Sequence, residues 1–263
     1  MDGLRAGEAG AAGLTPGLTP GLGSGVGPDL VDGLRPVLRA LADPAPPSAD
    51  FDVTPGLGRA PGLVLRPAAV LLALQPGPAG WEMVLTRRAA RLLHHPGQIA
   101  LPGGKLDAND PGPVTAALRE AREEVGLPPE AVELLGTLNP HETVTGFSVT
   151  PVVGWLRAPF VPVPDRGEVA EVFAVPLRHL ADPGRYRLEG RRWRGVRRNY
   201  WVLPWGPYYI WGATARILRG LAERMGGQTG DHTGDHTGNH TGNHTGDHTG
   251  DHTGGQMGER AGP

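Results

Sequence analysis

Cysteine is absent from the 263 residues. That excludes a disulfide framework, a thiolate nucleophile and any sulfur-ligated metal, and it suits a reducing cytoplasm, the compartment expected for this chain. A surplus of one charge is missing too: 25 basic residues face 27 acidic ones, for a net charge of −2. Such a balance gives no global attraction to nucleic acid or to a membrane surface, and neither is expected as a partner. No apolar run approaches the ~20 residues a membrane-spanning helix needs. The N-terminus shows no basic segment followed by an apolar core, so no secretion signal is expected.

Glycine (42) and proline (28) are abundant instead, and much of the excess lies toward the ends. Residues 1–28 are rich in Gly, Ala, Leu and Pro and repeat Gly-Leu-Thr-Pro at 13–16 and 17–20. This composition buries too little apolar surface to offset chain ordering, so the segment reads as disordered or as lying before the true start codon. Residues 226–263 form a second tail, in which a His-Thr-Gly-Asp/Asn unit of period four places His232, His236, His240, His244, His248 and His252. Gly in every unit and no apolar residue exclude a packed helix or strand. Disorder is the expected state, with weak transition-metal binding as the functional alternative.

Between the tails, residues 29–61 read as a short helix and a Pro-rich linker, and 62–225 as the folded domain. Leu30, Val31, Leu34, Val37, Leu38 and Leu41 have helical spacing, with Pro36 expected at a kink or break. Ala68–Leu74 and Trp81–Thr86 are apolar runs around a Pro/Gly turn, the pattern of an antiparallel hairpin. Further strands are expected at 98–101, 131–138 and 148–156, with Pro151 marking an edge or bulge. A strand is expected after Glu168 and a basic hairpin at 186–202. A closing helix over 209–224 would bury Ile210, Trp211, Thr214, Ile217, Leu218 and Leu221. Strands flanked by a helix on either side give an α/β class, an α/β/α sandwich around a mixed sheet.

The richest stretch is Leu101 to Leu127. Ala117, Ala121 and Val125 give its second half a helical stripe, and Gly126 followed by Pro128 and Pro129 stops the helix. On it Glu120, Glu123 and Glu124 stand at i, i+3 and i+4, so three carboxylates share a face and repel one another. Oxygen-only ligands of this kind suit a hard divalent cation, Mg²⁺ or Mn²⁺. Taken alone, such a trio would more simply be a solvated acidic face salted by Arg119 and Arg122.

The flanking residues reverse that reading. Gly104 together with Arg119-Glu120-Ala121-Arg122-Glu123-Glu124-Val125-Gly126-Leu127 resembles the Nudix box, with Asp110 in place of its first Glu and one extra residue before Arg119. Upstream, Thr86, Arg88, Ala89, Gly97 and Pro102-Gly103-Gly104 resemble the motif of the coenzyme A pyrophosphatase branch, with Leu93 where that motif has Arg and Leu101 where it has Phe.

The resemblance implies the Nudix fold and metal-dependent hydrolysis of coenzyme A or its thioesters. ADP-ribose, NADH or a dinucleotide is the rival substrate, and a nucleotide-binding module without turnover is the rival class. It implies metal ligation by Glu120, Glu123, Glu124 and the Gly104 carbonyl, with Glu124 and Glu120 the principal ligands, Glu123 a further ligand or the base, the choice of base among the three left open, and Arg119 holding the carboxylates. Glu168 and Glu171 are candidates for an acid recruited from a later loop, and His141 and Glu142 lie in a loop able to approach the site. Arg88 is expected to contact substrate together with Gly103, Gly104 and Lys105 of the turn, and the Arg191–Arg198 cluster offers a site for a 3′-phosphate. Oligomeric state stays open, a homodimer included.

Overall fold

The computed structural model describes residues 28–226, apart from 60 and 194. The two expected disordered tails lie outside the described residues except at their inner margins. In chain order the elements are α1 (Pro28–Ala42), β1 (Ser48–Ala49), β2 (Arg66–Gly77), β3 (Gly80–Arg88), β4 (Ile99–Ala100), β5 (Gly103–Lys105) and α2 (Pro113–Val125). There follow β6 (Val132–Thr137), β7 (His141–Glu142), β8 (Phe147–Leu156), β9 (Val169–Pro176), α3 (Leu177–Leu180), β10 (Arg187–Trp193), β11 (Val196–Trp205), β12 (Tyr208–Trp211) and α4 (Ala213–Met225).

β2 explains the architecture. Its run Ala68–Leu74 is apolar without alternation because both faces are covered. Ala69, Leu71 and Ala73 meet Ala116, Ala117, Ala121 and Val125 of α2 on one face. On the other, Leu72 and Leu74 join Met83, Trp155 and the apolar stripes of α1 and α4. The sheet between these helix layers runs β1-β7-β8-β2-β3-β4, with β5 also paired to β2, β6 to β8 and β9 to β3. β2 and β8 are parallel whereas β2 and β3 form the expected antiparallel hairpin, so the sheet is mixed. A three-stranded sheet, β10-β11-β12, carries the basic hairpin.

Four local expectations change. Pro36 lies inside α1, which continues through it. The ring removes one backbone hydrogen bond, but Leu34, Val37 and Ala40 are buried on either side of it and hold the helix in place. Pro151 is in an interior strand: it falls between the stretch of β8 paired with β7 and the stretch paired with β6, an interval where its missing N–H costs no ladder bond on that side. The closing helix begins at Ala213, because Tyr208–Trp211 pair with β11 and Gly212 turns the chain at φ 66°.

The fourth change concerns the Pro-rich segment after α1, which is stitched to the sheet. Ser48 and Ala49 pair in parallel with His141 and Glu142. Thr54 is buried, and its Oγ1 accepts from the Asn199 backbone N–H at 2.9 Å.

Candidate active site

α2 starts with Pro113 at its first turn and ends at Gly126, whose φ of 71° and whose N–H bond to the Arg122 carbonyl close the last turn. Because Ala117, Ala121 and Val125 face the sheet, the following face of the helix lies along β5 and the end of β3. Glu120 stands over Gly104. A Cβ at 104 would sit 2.8 Å from one Glu120 carboxylate oxygen and closer still to the rest of the group. Gly103 is needed for a different reason: at φ 151° its missing side chain lets β5 lie against the β2 backbone, where a Cβ would come within 2.6 Å of the Val70 Cα.

Glu124 is the buried member of the trio, 6 % exposed. Its Oε2 accepts from the Gly103 backbone N–H at 3.0 Å, and the Arg88 Nη1 stands 4.0 Å from its Oε1. Burial raises its pKa to about 7. The negative charges of Glu120 and Glu168 add to the rise, while the Gly103 hydrogen bond and Arg88 oppose it. Glu120 is also raised, first by burial and then by Glu123 and Glu168, against the pull of Arg119. Glu123 is different: its side chain is 59 % exposed and turned to Arg119 at 3.0 Å.

Arg119 is a fork with each prong occupied. Nε and Nη2 hold both oxygens of Asp110 at 3.2 and 2.9 Å, Nη2 also reaches the Lys105 carbonyl at 3.2 Å, and Nη1 donates to Glu120 and Glu123. The hydrogen bonds from Arg119 hold Asp110 below the usual carboxylate range, helped by the Asp107 backbone N–H. Asp110, from the longer spacing before the helix, thus anchors the arginine that orients two of the three glutamates. Lys105 lends its carbonyl, while its side chain is on the exposed side of the turn.

Glu168 and Glu171 part company. Glu168 is exposed at the head of β9, near enough to raise both Glu120 and Glu124. Glu171 is held by Arg87 at 3.0 Å and by the Tyr208 hydroxyl at 2.6 Å. His141 is 1 % exposed and lies between Ser48 Oγ and Asp50 Oδ1, both at 3.0 Å, while Glu142 pairs with Arg59 at 3.5 Å. Both belong to the clasp on the N-terminal segment. Leu101 is in the core on the side of α4, and Leu93 is 88 % exposed. Arg191 and Arg192 pair across the hairpin with Arg198 and Arg197, in the separate small sheet. Residues that sequence reasoning missed are Arg91, Asp50 and Asp165. The side-chain partners of Arg91 and Asp50 are distant in the chain, so nothing local signals them, whereas the Asp165 side chain accepts from the nearby Gly167 N–H, a turn bond that an Asp two residues before a Gly could have suggested.

The donor set fits a hard divalent ion. It is all oxygen, and burial first, with mutual repulsion added, pushes the Glu120 and Glu124 carboxylates toward protonation, a cost that a bound cation would offset. Among the described residues no three acidic or histidine side chains have drawn together as a complete ligand group, since Glu123 leans away to Arg119.

Comparison with known proteins bears on the same residues. The NUDIX domain model matches residues 64–194. The "Uncharacterized Nudix hydrolase NudL" of Enterobacter sp. (strain 638) is 44 % identical over 165 residues, covering 61 % of this chain and 83 % of that protein. Its counterpart in Citrobacter koseri shares the same identity and coverage. Among solved structures, the Nudix hydrolase RenU of M. smegmatis is 31 % identical and covers 47 % of this chain and 84 % of its own, with a TM-score of 0.39. The protein is therefore a hydrolase built on a mixed α/β sheet. It belongs to the Nudix family and is one of its pyrophosphohydrolases, enzymes that generally use divalent metal ions.

Proposed function

We propose that the enzyme hydrolyses the pyrophosphate bond of coenzyme A or its thioesters, releasing 3′,5′-ADP and 4′-phosphopantetheine or its acyl form, in a reducing cytoplasm with Mg²⁺ or Mn²⁺. The observation that carries this reading is the place of Arg88. This residue of the upstream motif stands at the rim of the carboxylate cluster, 4.0 Å from Glu124, and its buried Nε has no hydrogen-bond partner among the described residues. A guanidinium so placed is available to a phosphate oxygen of the substrate.

Glu120, Glu124, the Gly104 carbonyl and Glu123 would hold the metal, which when bound neutralises pyrophosphate charge and acidifies a water. Arg88 binds a phosphate with Gly103, Gly104 and Lys105 lining the turn, and Arg119 fixes Glu120 and Glu123. A carboxylate of the cluster, with Glu168 the loop candidate beside Glu120 and Glu123, takes the proton of the attacking water as the P–O bond to the leaving phosphate breaks. The exposure of Glu168 and its electrostatic reach to Glu120 and Glu124 support that assignment.

The test is product analysis after incubation with coenzyme A, ADP-ribose and NADH, with and without Mg²⁺ or Mn²⁺. Metal-dependent 3′,5′-ADP from coenzyme A, well above AMP from the other two, is the expected result. AMP from the others alone would transfer the reading to a different nucleoside diphosphate derivative. Absence of product from all three, with binding retained, would leave a nucleotide-binding module.

A further inference from the structure

The segment leading to Glu168 is tied at two points, and the two ties belong to different parts of the site. Toward α2, Val163 N–H donates to the Val125 carbonyl at 2.9 Å and Asp165 N–H to the Glu124 carbonyl at 3.0 Å. These are carbonyls at a helix end that have no partner within the helix, so the segment supplies what the helix cannot. The chain then turns on Asp165, whose backbone carbonyl accepts from Glu168 N–H at 3.0 Å and Val169 N–H at 2.8 Å, and whose Oδ1 accepts from Gly167 N–H at 2.7 Å.

Toward the Arg88 loop, Ala89 N–H donates to the Glu168 carbonyl at 2.7 Å. The Arg91 side chain adds Nη2 to the Arg166 carbonyl at 2.6 Å and Nε to the Gly167 carbonyl at 3.4 Å. Arg91 thus grips the two residues immediately before Glu168, from a loop that begins with Arg88. Three charge-bearing groups, Arg88, Glu124 and Glu168, are in this way fastened to one another through backbone.

We infer that Arg91 is a positioning residue for Glu168: its guanidinium clamps the 166–167 carbonyls and so fixes where the Glu168 carboxylate stands relative to Glu120 and Glu124. The inference rests on the reading of Glu168 as an acid that serves the reaction. The residue itself is exposed, and these two carbonyls are the hydrogen-bond partners of its side chain. Its removal therefore leaves the core untouched, and the turn before Glu168 gains freedom. A carboxylate displaced by about 1 Å loses rate far more than it loses substrate binding.

The experiment is a double-mutant cycle of Arg91→Ala and Glu168→Gln in the full chain, with Arg91→Lys as the conservative variant. Turnover is measured with coenzyme A, or with whichever of ADP-ribose and NADH the product assay identifies. Hydrogen exchange of the 163–169 amides is measured in parallel without metal. Arg91→Ala is expected to lower kcat roughly tenfold with little change in KM, to speed exchange at 166–169, and to add nothing to Glu168→Gln. The lysine variant, able to serve one carbonyl, should recover part of the loss.

A wild-type kcat in Arg91→Ala, or a full further loss in the Glu168→Gln background, overturns the inference while leaving Glu168 in place. Wild-type kcat in Glu168→Gln itself removes the role of Glu168, and the positioning role with it.

Discussion

The carboxylate of Glu120 fills the space that a side chain at position 104 would need. Gly104→Ala must therefore push the Glu120 carboxylate aside, and this far end of a flexible side chain can move by giving up its bond to Arg119. The fold should survive with little change in Tm while turnover falls at least about tenfold. Gly103→Ala meets the β2 backbone instead, at a φ of 151°, and neither obstacle can swing away. It should cost on the order of 1–3 kcal/mol in chemical denaturation. Equal effects of the two changes on stability would contradict this division.

Glu124 gives the protein a pH signature. With no metal bound, burial lifts its pKa to about 7, whereas an unfolded glutamate titrates near ~4.3. Between those values the folded protein keeps a proton that the unfolded chain has released, so stability decreases as pH rises through about 4.5 to 7. The loss is bounded at on the order of 3 kcal/mol. In EDTA, calorimetry should show wild type losing Tm relative to Glu124→Gln across that window. Parallel Tm curves for the two proteins would sink the argument.

Arg119 serves Asp110, Lys105, Glu120 and Glu123 from one planar group. Arg119→Lys keeps the charge but can satisfy only part of that set. Titration with Mn²⁺ followed by electron paramagnetic resonance should show affinity weakened by roughly tenfold, with kcat reduced as well. Unchanged affinity would mean that charge alone matters at this position.

His141 tests a structural role. It is buried between Ser48 and Asp50, which ties the segment after α1 to β7. His141→Ala strands both partners and should cost about 1–3 kcal/mol in urea unfolding. Activity per folded molecule should be retained, because the clasp lies at the β1–β7 edge of the sheet and not over β5. A specific loss of kcat at full folding would place His141 in the reaction.

Much of this was legible beforehand where the signal was local. The periodic alanines of α2, the Gly126 stop and the two-sided apolar run of β2 need only their neighbours in sequence to be read. Local rules fail where a distant partner overrides them. The Pro-rich segment looked like a linker because its sequence offers no core, yet β7 supplies a strand for it to pair with. Tyr208–Trp211 carry a helix-compatible pattern, and β11 draws them into a strand.

By itself the sequence determined that Glu120, Glu123 and Glu124 share one helix face, because 3.6-residue periodicity is a local property. Tertiary structure alone decided that Glu124 is the buried one, that Glu123 turns to Arg119, and that Glu168 comes near enough to act on Glu120 and Glu124 while Glu171 pairs with Arg87. The last distinction shows the physical reason most clearly. Glu171 lies in β9 opposite Arg87 of β3, whereas Glu168 lies in the turn before β9, which backbone bonds tie to Glu124 and Ala89; every one of these partners is distant in the chain, and no local periodicity encodes them.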